Sequence, residues 1–127
     1  MKLTKNFSKS EFDCKCGCEM PQEVLHNVQK VANQLQVLRN ATEKPIKINS
    51  AYRCAKHNEK IGGSKNSQHL LGKAADIVIA EFIADETATL VEKFIEVGQI
   101  LQGGVGRYNT FTHYDIRKTK ARWDYRK

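Results

Sequence analysis

Ser67-Gln68-His69-Leu70-Leu71-Gly72-Lys73-Ala74-Ala75-Asp76 is the stretch on which the fold turns. Six residues separate its His from its Asp, with a Gly between them, and it runs straight into Ile77-Val78-Ile79. The Gly allows a turn, and the β-branched run that follows reads as a buried central strand over Ala75 to Ala80. His69 and Asp76 are too far apart for neighbours on one helix face. They suit two metal ligands, one on a loop and one opening a strand.

A catalytic zinc site needs three protein ligands and one open position. His113 is the third ligand expected, in Phe111-Thr112-His113-Tyr114-Asp115-Ile116-Arg117. That stretch alternates as a strand, with His113, Asp115 and Arg117 on one face. His57, in the polar loop after Cys54, is a rival third ligand. His26 lies off the apolar stripe of its helix and reads as solvated.

Outward from this core, Val24, Leu25, Val28, Val31, Ala32, Leu35 and Leu38 mark one side of a helix of about five turns that opens at Pro21. Ser8 and Glu11 form a capping-box pattern for a short helical turn. Ile46-Lys47-Ile48-Asn49 alternates as a half-buried strand. Lys56 to Asn66 reads as a polar loop turning at Gly62-Gly63. Asp85-Glu86-Thr87 starts a helix that Gly98 stops, and Gly103-Gly104-Val105-Gly106 reads as a tight connection. The order helix, strand, loop, strand, helix, strand predicts an α+β domain. Tyr108 and Trp123 are expected in the core or on a cleft wall.

The 127 residues suit one domain, and 40% hydrophobic with 28% charged residues is ordinary for a globular chain. A net charge of +7 favours anionic polymers, including nucleic acid and cell wall. No zinc-finger spacing or aromatic nucleic-acid motif is present, so nucleic acid is not an expected partner. No stretch has the length of a membrane span. The start, Met1 to Phe7, is basic but has no apolar run, so no secretory leader is expected. Cys14, Cys16, Cys18 and Cys54 leave three states open: a metal site, a disulfide to Cys54, or free thiols.

The pattern S-x-H-x-x-G-x-A-x-D, carried by Ser67, His69, Gly72, Ala74 and Asp76, resembles that of the M15 zinc peptidases. That group includes D-alanyl-D-alanine carboxypeptidases, dipeptidases, murein endopeptidases and phage endolysins, and shares its fold with the hedgehog signalling domain. Ile48-Asn49-Ser50-Ala51-Tyr52-Arg53, Gly103 to Tyr108 and Thr112-His113-Tyr114-Asp115 resemble further segments of the same family, so the likeness runs from Phe7 to Trp123.

The resemblance implies a single zinc peptidase domain over residues 1–127. A small antiparallel sheet would pack against helices in the hedgehog and D-Ala-D-Ala peptidase manner, with the Cys-containing segment 1–20 packed on it. It implies one zinc ion on His69, Asp76 and His113. Arg53 would hold a substrate carboxylate or the developing oxyanion. Ser67 would bond substrate or cap its loop. Many family members carry Glu or Asp three residues before the last His. Thr110 stands there, which leaves Asp115 as the expected general base, or as a carboxylate orienting a ligand His.

The expected function is zinc-dependent hydrolysis of peptidoglycan stem peptides or cross-links, by a monomer. The size of the chain and the missing leader suggest a phage or prophage lysin made in the cytoplasm and acting on the wall. The alternative is a non-catalytic, zinc-stabilised module that binds cell wall or protein.

Overall fold

The computed structural model describes residues 1–127. Its first regular element is a 3-10 turn over Lys9–Phe12, closed by the Ser8 N–H donating to the Glu11 carboxylate (3.1 Å). Helix α1 spans Gln22–Thr42, and its buried residues are the expected stripe from Val24 to Leu38, less the half-buried Leu25. Pro21 caps α1 rather than opening it. Glu43, in the left-handed region, ends it.

Strand β1 spans Ile46–Ser50, β2 Ala74–Ile79, β3 Gly104–Arg107, β4 Thr112–Asp115 and β5 Ala121–Asp124. They form one five-stranded sheet in the order β1-β2-β4-β3-β5. The fold is α+β as expected, but the sheet is mixed. β3 and β5 run parallel, while every other pair is antiparallel. The glycine-rich run expected to be a tight connection is β3 itself.

Helix α3 covers Ala84–Glu96, with the Glu86 side chain accepting from the Ile83 N–H (3.0 Å) and Gly98 turning at φ +77 just beyond. A short helix, α2, occupies Ala55–Lys60, where a loop was expected. Cys54 makes this possible: its Sγ accepts from the His57 N–H (3.5 Å), one of the donors a helix start leaves unpaired.

Strand alternation divides the sheet. Ile46, Ile48, Ala75, Ile77, Ile79, Val105, Thr112 and Tyr114 are buried in the core that also takes the apolar sides of α1 and α3. Phe7, Phe12, Cys14 and Met20 from the N-terminal segment join the same core. The intervening residues, Asp76, His113 and Asp115, lie on the other face. No helix is long and apolar enough to cross a membrane.

Candidate metal centre

The register of the sheet assembles the centre. Ser50 pairs with Asp76, Asp76 with His113, His113 with Gly106, and Gly106 with Trp123, so one row of residues crosses all five strands. Asp76 and His113 are neighbours because β2 and β4 are antiparallel and adjacent. Gly106 leaves space in that row. A Cβ there would come within 2.4 Å of the Trp123 indole nitrogen, so only glycine lets the indole lie across the sheet toward His113. The His113 and Trp123 ring centroids are 5.0 Å apart.

His69 reaches the row from a second direction. It sits in a 3-10 turn, Gln68–Leu71, whose start is capped by Ser67 Oγ accepting from the His69 N–H (3.1 Å). Gly72 ends the turn at φ +72, and a Cβ there would approach Val24 Cγ1 to 2.6 Å. Both its conformation and its contact with α1 therefore require glycine. The His69 carbonyl accepts from the Arg53 N–H (3.1 Å), which joins this turn to the chain after β1.

Nε2 of His69, Oδ1 of Asp76 and Nδ1 of His113 converge. His69 Nε2 lies 3.3 Å and His113 Nδ1 3.1 Å from the same Asp76 oxygen, with all three residues buried. The remaining ring nitrogens fix the tautomers. His69 Nδ1–H donates to the Ala51 carbonyl (2.6 Å), and His113 Nε2–H donates to Asp115 (2.7 Å). Two nitrogen lone pairs thus point at one carboxylate oxygen. That arrangement is repulsive unless a proton or cation lies between them. A tetrahedral zinc ion, with bonds of about 2.1 Å, spaces its ligand atoms about 3.4 Å apart. The residues present therefore fit zinc in donor type, spacing and outer hydrogen bonding.

The charges agree. Burial pushes the Asp76 carboxyl up, but its bonds to His113 and His69 outweigh this and hold it well below the usual carboxylate range. Burial pulls His113 down, and Asp115 and Asp76 more than reverse that, leaving it above the ordinary histidine value.

Asp115 is fully buried and accepts from five donors. These are His113 Nε2 (2.7 Å), the Gly104 N–H (2.9 Å), and the backbone N–H, Nε and Nη2 of Arg117 (3.1, 2.9 and 2.7 Å). Burial raises its carboxyl, but His113 and Arg117 outweigh that and keep it charged. It meets the edge of the His113 ring opposite Asp76. That position differs from the one expected of a general base, because the carboxylate lines no part of the cleft and has no free lone pair to offer water.

Above the triad lies an open cleft of about 630 Å³. Tyr108, Phe111, Trp123 and Tyr125 form one wall, and Arg53, Arg117, Ser67 and Gln68 contribute polar groups. Tyr108 stacks on Phe111 (4.4 Å) and its Oη accepts from the Trp123 Nε1–H (3.0 Å). Arg117 lies over the Trp123 ring at 5.2 Å.

Arg53 is largely buried, with Nη2 3.5 Å from Asp76 Oδ2. Ser50 Oγ (3.2 Å) and Asn58 Oδ1 (3.3 Å) hold its guanidinium. Asn58 also donates to the Ser64 carbonyl (2.8 Å), fixing the Gly62-Gly63 loop that rims the cleft. Sequence reading missed Asn58, whose polar-loop setting gives no sign that it is buried. His57 and His26 lie outside the triad, and His57 instead belongs to α2.

The chain matches the family described as Peptidase M15 over residues 3–115. It is also 36% identical over 83 residues to a zinc D-Ala-D-Ala carboxypeptidase of Streptomyces albus G. That alignment covers 63% of this chain and 31% of the relative, so the chain spans about a third of the relative's length. With the family match running unbroken across His69, Asp76 and His113, this chain belongs to the peptidase M15 family.

Proposed function

We propose that residues 1–127 act as one monomeric zinc peptidase unit that hydrolyses peptidoglycan stem peptides or cross-links. The single observation that carries this reading is the aim of His69 Nε2 and His113 Nδ1 at one Asp76 oxygen on the floor of an open cleft. Those three residues would hold one zinc ion, which supplies Lewis acidity for a carbonyl and acidifies water.

The chain's own groups then divide the work. Asp115 keeps the proton of His113 on Nε2, so that Nδ1 faces the triad as a lone pair. The Ala51 carbonyl does the same for His69. Arg53, clamped by Ser50 and Asn58 beside Asp76, binds a substrate carboxylate or the oxygen that gains charge, a task suited to a planar and permanently charged group. The aromatic wall of Tyr108, Trp123 and Tyr125 takes the apolar faces of the peptide and keeps bulk water from one side. Ser67 holds His69 through its backbone. A net charge of +7 draws the protein to an anionic wall.

A second reading, a zinc-stabilised binding module, is favoured by one observation. Asp76 is the only carboxylate lining the cleft. Digestion of purified murein separates the two. Zinc-loaded protein should release new muropeptides, identified by mass spectrometry, and His69→Ala should release none. Unchanged murein from the metal-loaded protein would refute the peptidase reading.

A further inference from the structure

The chain has four cysteines, and all four meet at one place. Cys14, Cys16 and Cys18 come from the irregular segment between the first 3-10 turn and α1, and Cys54 caps α2. All four are free thiols. Cys14 and Cys16 sulfurs are 3.3 Å apart, Cys16 and Cys54 3.4 Å, and Cys14 and Cys54 3.8 Å, with every pair within 4.8 Å. A tetrahedral ion with zinc–sulfur bonds of about 2.3 Å spaces its sulfurs about 3.8 Å apart. A disulfide would use two sulfurs and give the other two no reason to converge. Four at comparable separations surround a point.

The local backbone serves that point. Gly17, at φ +83, donates its N–H to the Cys14 carbonyl (3.0 Å) and folds Cys14-Lys15-Cys16-Gly17-Cys18 into a turn that gathers three sulfurs. The Cys54 N–H donates to Cys14 Sγ (3.4 Å) and the His57 N–H to Cys54 Sγ (3.5 Å). Peptide N–H groups aimed at sulfur support thiolate charge, as outer hydrogen bonds do in metal sites. Between Cys14 and Met20 that Gly17 bond is the one internal backbone hydrogen bond, so the order of the segment calls for another tie.

We propose that Cys14, Cys16, Cys18 and Cys54 bind a second, structural zinc ion, separate from the His69, Asp76 and His113 centre. Four protein ligands close the coordination sphere, so this ion does no chemistry on substrate. Soft thiolates select zinc over magnesium or calcium. The ion ties the N-terminal segment to the corner at Tyr52–Cys54, where the Tyr52 N–H already donates to the Phe12 carbonyl (3.0 Å). Arg53 projects into the cleft from that corner, so the structural ion fixes the root of a substrate-binding side chain.

The test is metal content of the full chain, purified with reductant and zinc and without chelator. Two equivalents of zinc are expected in the unaltered protein. One is expected in His69→Ala/His113→Ala, and one in Cys16→Ser/Cys54→Ser. Cobalt substituted into the histidine variant should show intense sulfur-to-cobalt charge-transfer absorption. That spectrum decides the matter even where the cysteine variant fails to fold. One equivalent in the unaltered protein, lost with the two histidines, would overturn the proposal. So would two thiols that resist alkylation in protein purified separately without reductant, then denatured and chelated, since they would mark a disulfide.

Discussion

Replacing Asp115 by asparagine separates the two roles open to that carboxylate. The amide keeps one oxygen but presents an N–H₂ group among five donors. If the oxygen stays with the Gly104 N–H and the backbone N–H and Nε of Arg117, the N–H₂ faces His113 Nε2 and the Arg117 Nη2 donor. That nitrogen must then accept, which moves the ring proton to Nδ1, the nitrogen aimed at Asp76. If the amide turns over, its N–H₂ meets the Arg117 and Gly104 donors instead.

Either arrangement costs stability. Breaking a fully buried ion pair costs about 3–5 kcal/mol. The Arg117 side chain is 31% exposed and can turn to water, so about 2 kcal/mol is expected for Asp115→Asn, read from denaturant unfolding of metal-free protein. Zinc affinity, measured by competition with a chromophoric chelator, should fall about 10- to 100-fold, as losses of such outer hydrogen bonds do. Activity per bound zinc should stay within about tenfold, whereas removing a general base costs about 10²- to 10⁴-fold. Unchanged zinc affinity with a loss of that larger size would refute the orienting role.

Arg53→Lys should keep the zinc content but lower kcat/KM by about tenfold or more, because a lysine cannot reproduce a bidentate grip; a similar loss on a substrate analogue lacking its carboxylate would redirect the role to the oxyanion. Gly72→Ala should destabilise the fold by about 2 kcal/mol or more through both its positive φ and the approach to Val24, measured by urea unfolding. Leu35→Ala, at a fully buried position of α1, should cost about 2–5 kcal/mol in the same assay. Asp124, held at about 2 by the Arg126 side chain and backbone N–H, is ionised more readily folded than unfolded. Its small contribution is therefore complete above about pH 4 and is lost as pH falls toward 2. Fluorescence of Trp123, the single tryptophan, should change in that window and do so less in Asp124→Asn.

Periodicity made α1 and α3 legible, because an apolar stripe survives in any one-dimensional reading. The Ser67 to Asp76 pattern made the His69 turn and the strand after it legible too. β3 was not, since Gly104, Val105 and Gly106 offer no alternation, and their strand character comes from pairing with β4 and β5. α2 was hidden because its start is capped by a sulfur, which turn statistics do not weigh. Sequence spacing put His113 and Asp115 on one face correctly but carried no information on ring orientation. That orientation sets Asp115 behind the imidazole rather than over the cleft. Arg117 and Gly104, the other partners of Asp115, become visible only once β3 is beside β4.

The row from Ser50 through Asp76, His113 and Gly106 to Trp123 has a consequence for how errors are tolerated. A slip of one residue between β2 and β4 would not merely misalign Asp76 and His113. It would turn Ile77 and Tyr114 out of the core and the two polar residues into it. No one-residue slip therefore keeps the core while spoiling the centre. Fidelity of the centre comes from the apolar face of the same strands, so the metal-free chain should fold to the same register, with its ligands already paired when the ion arrives.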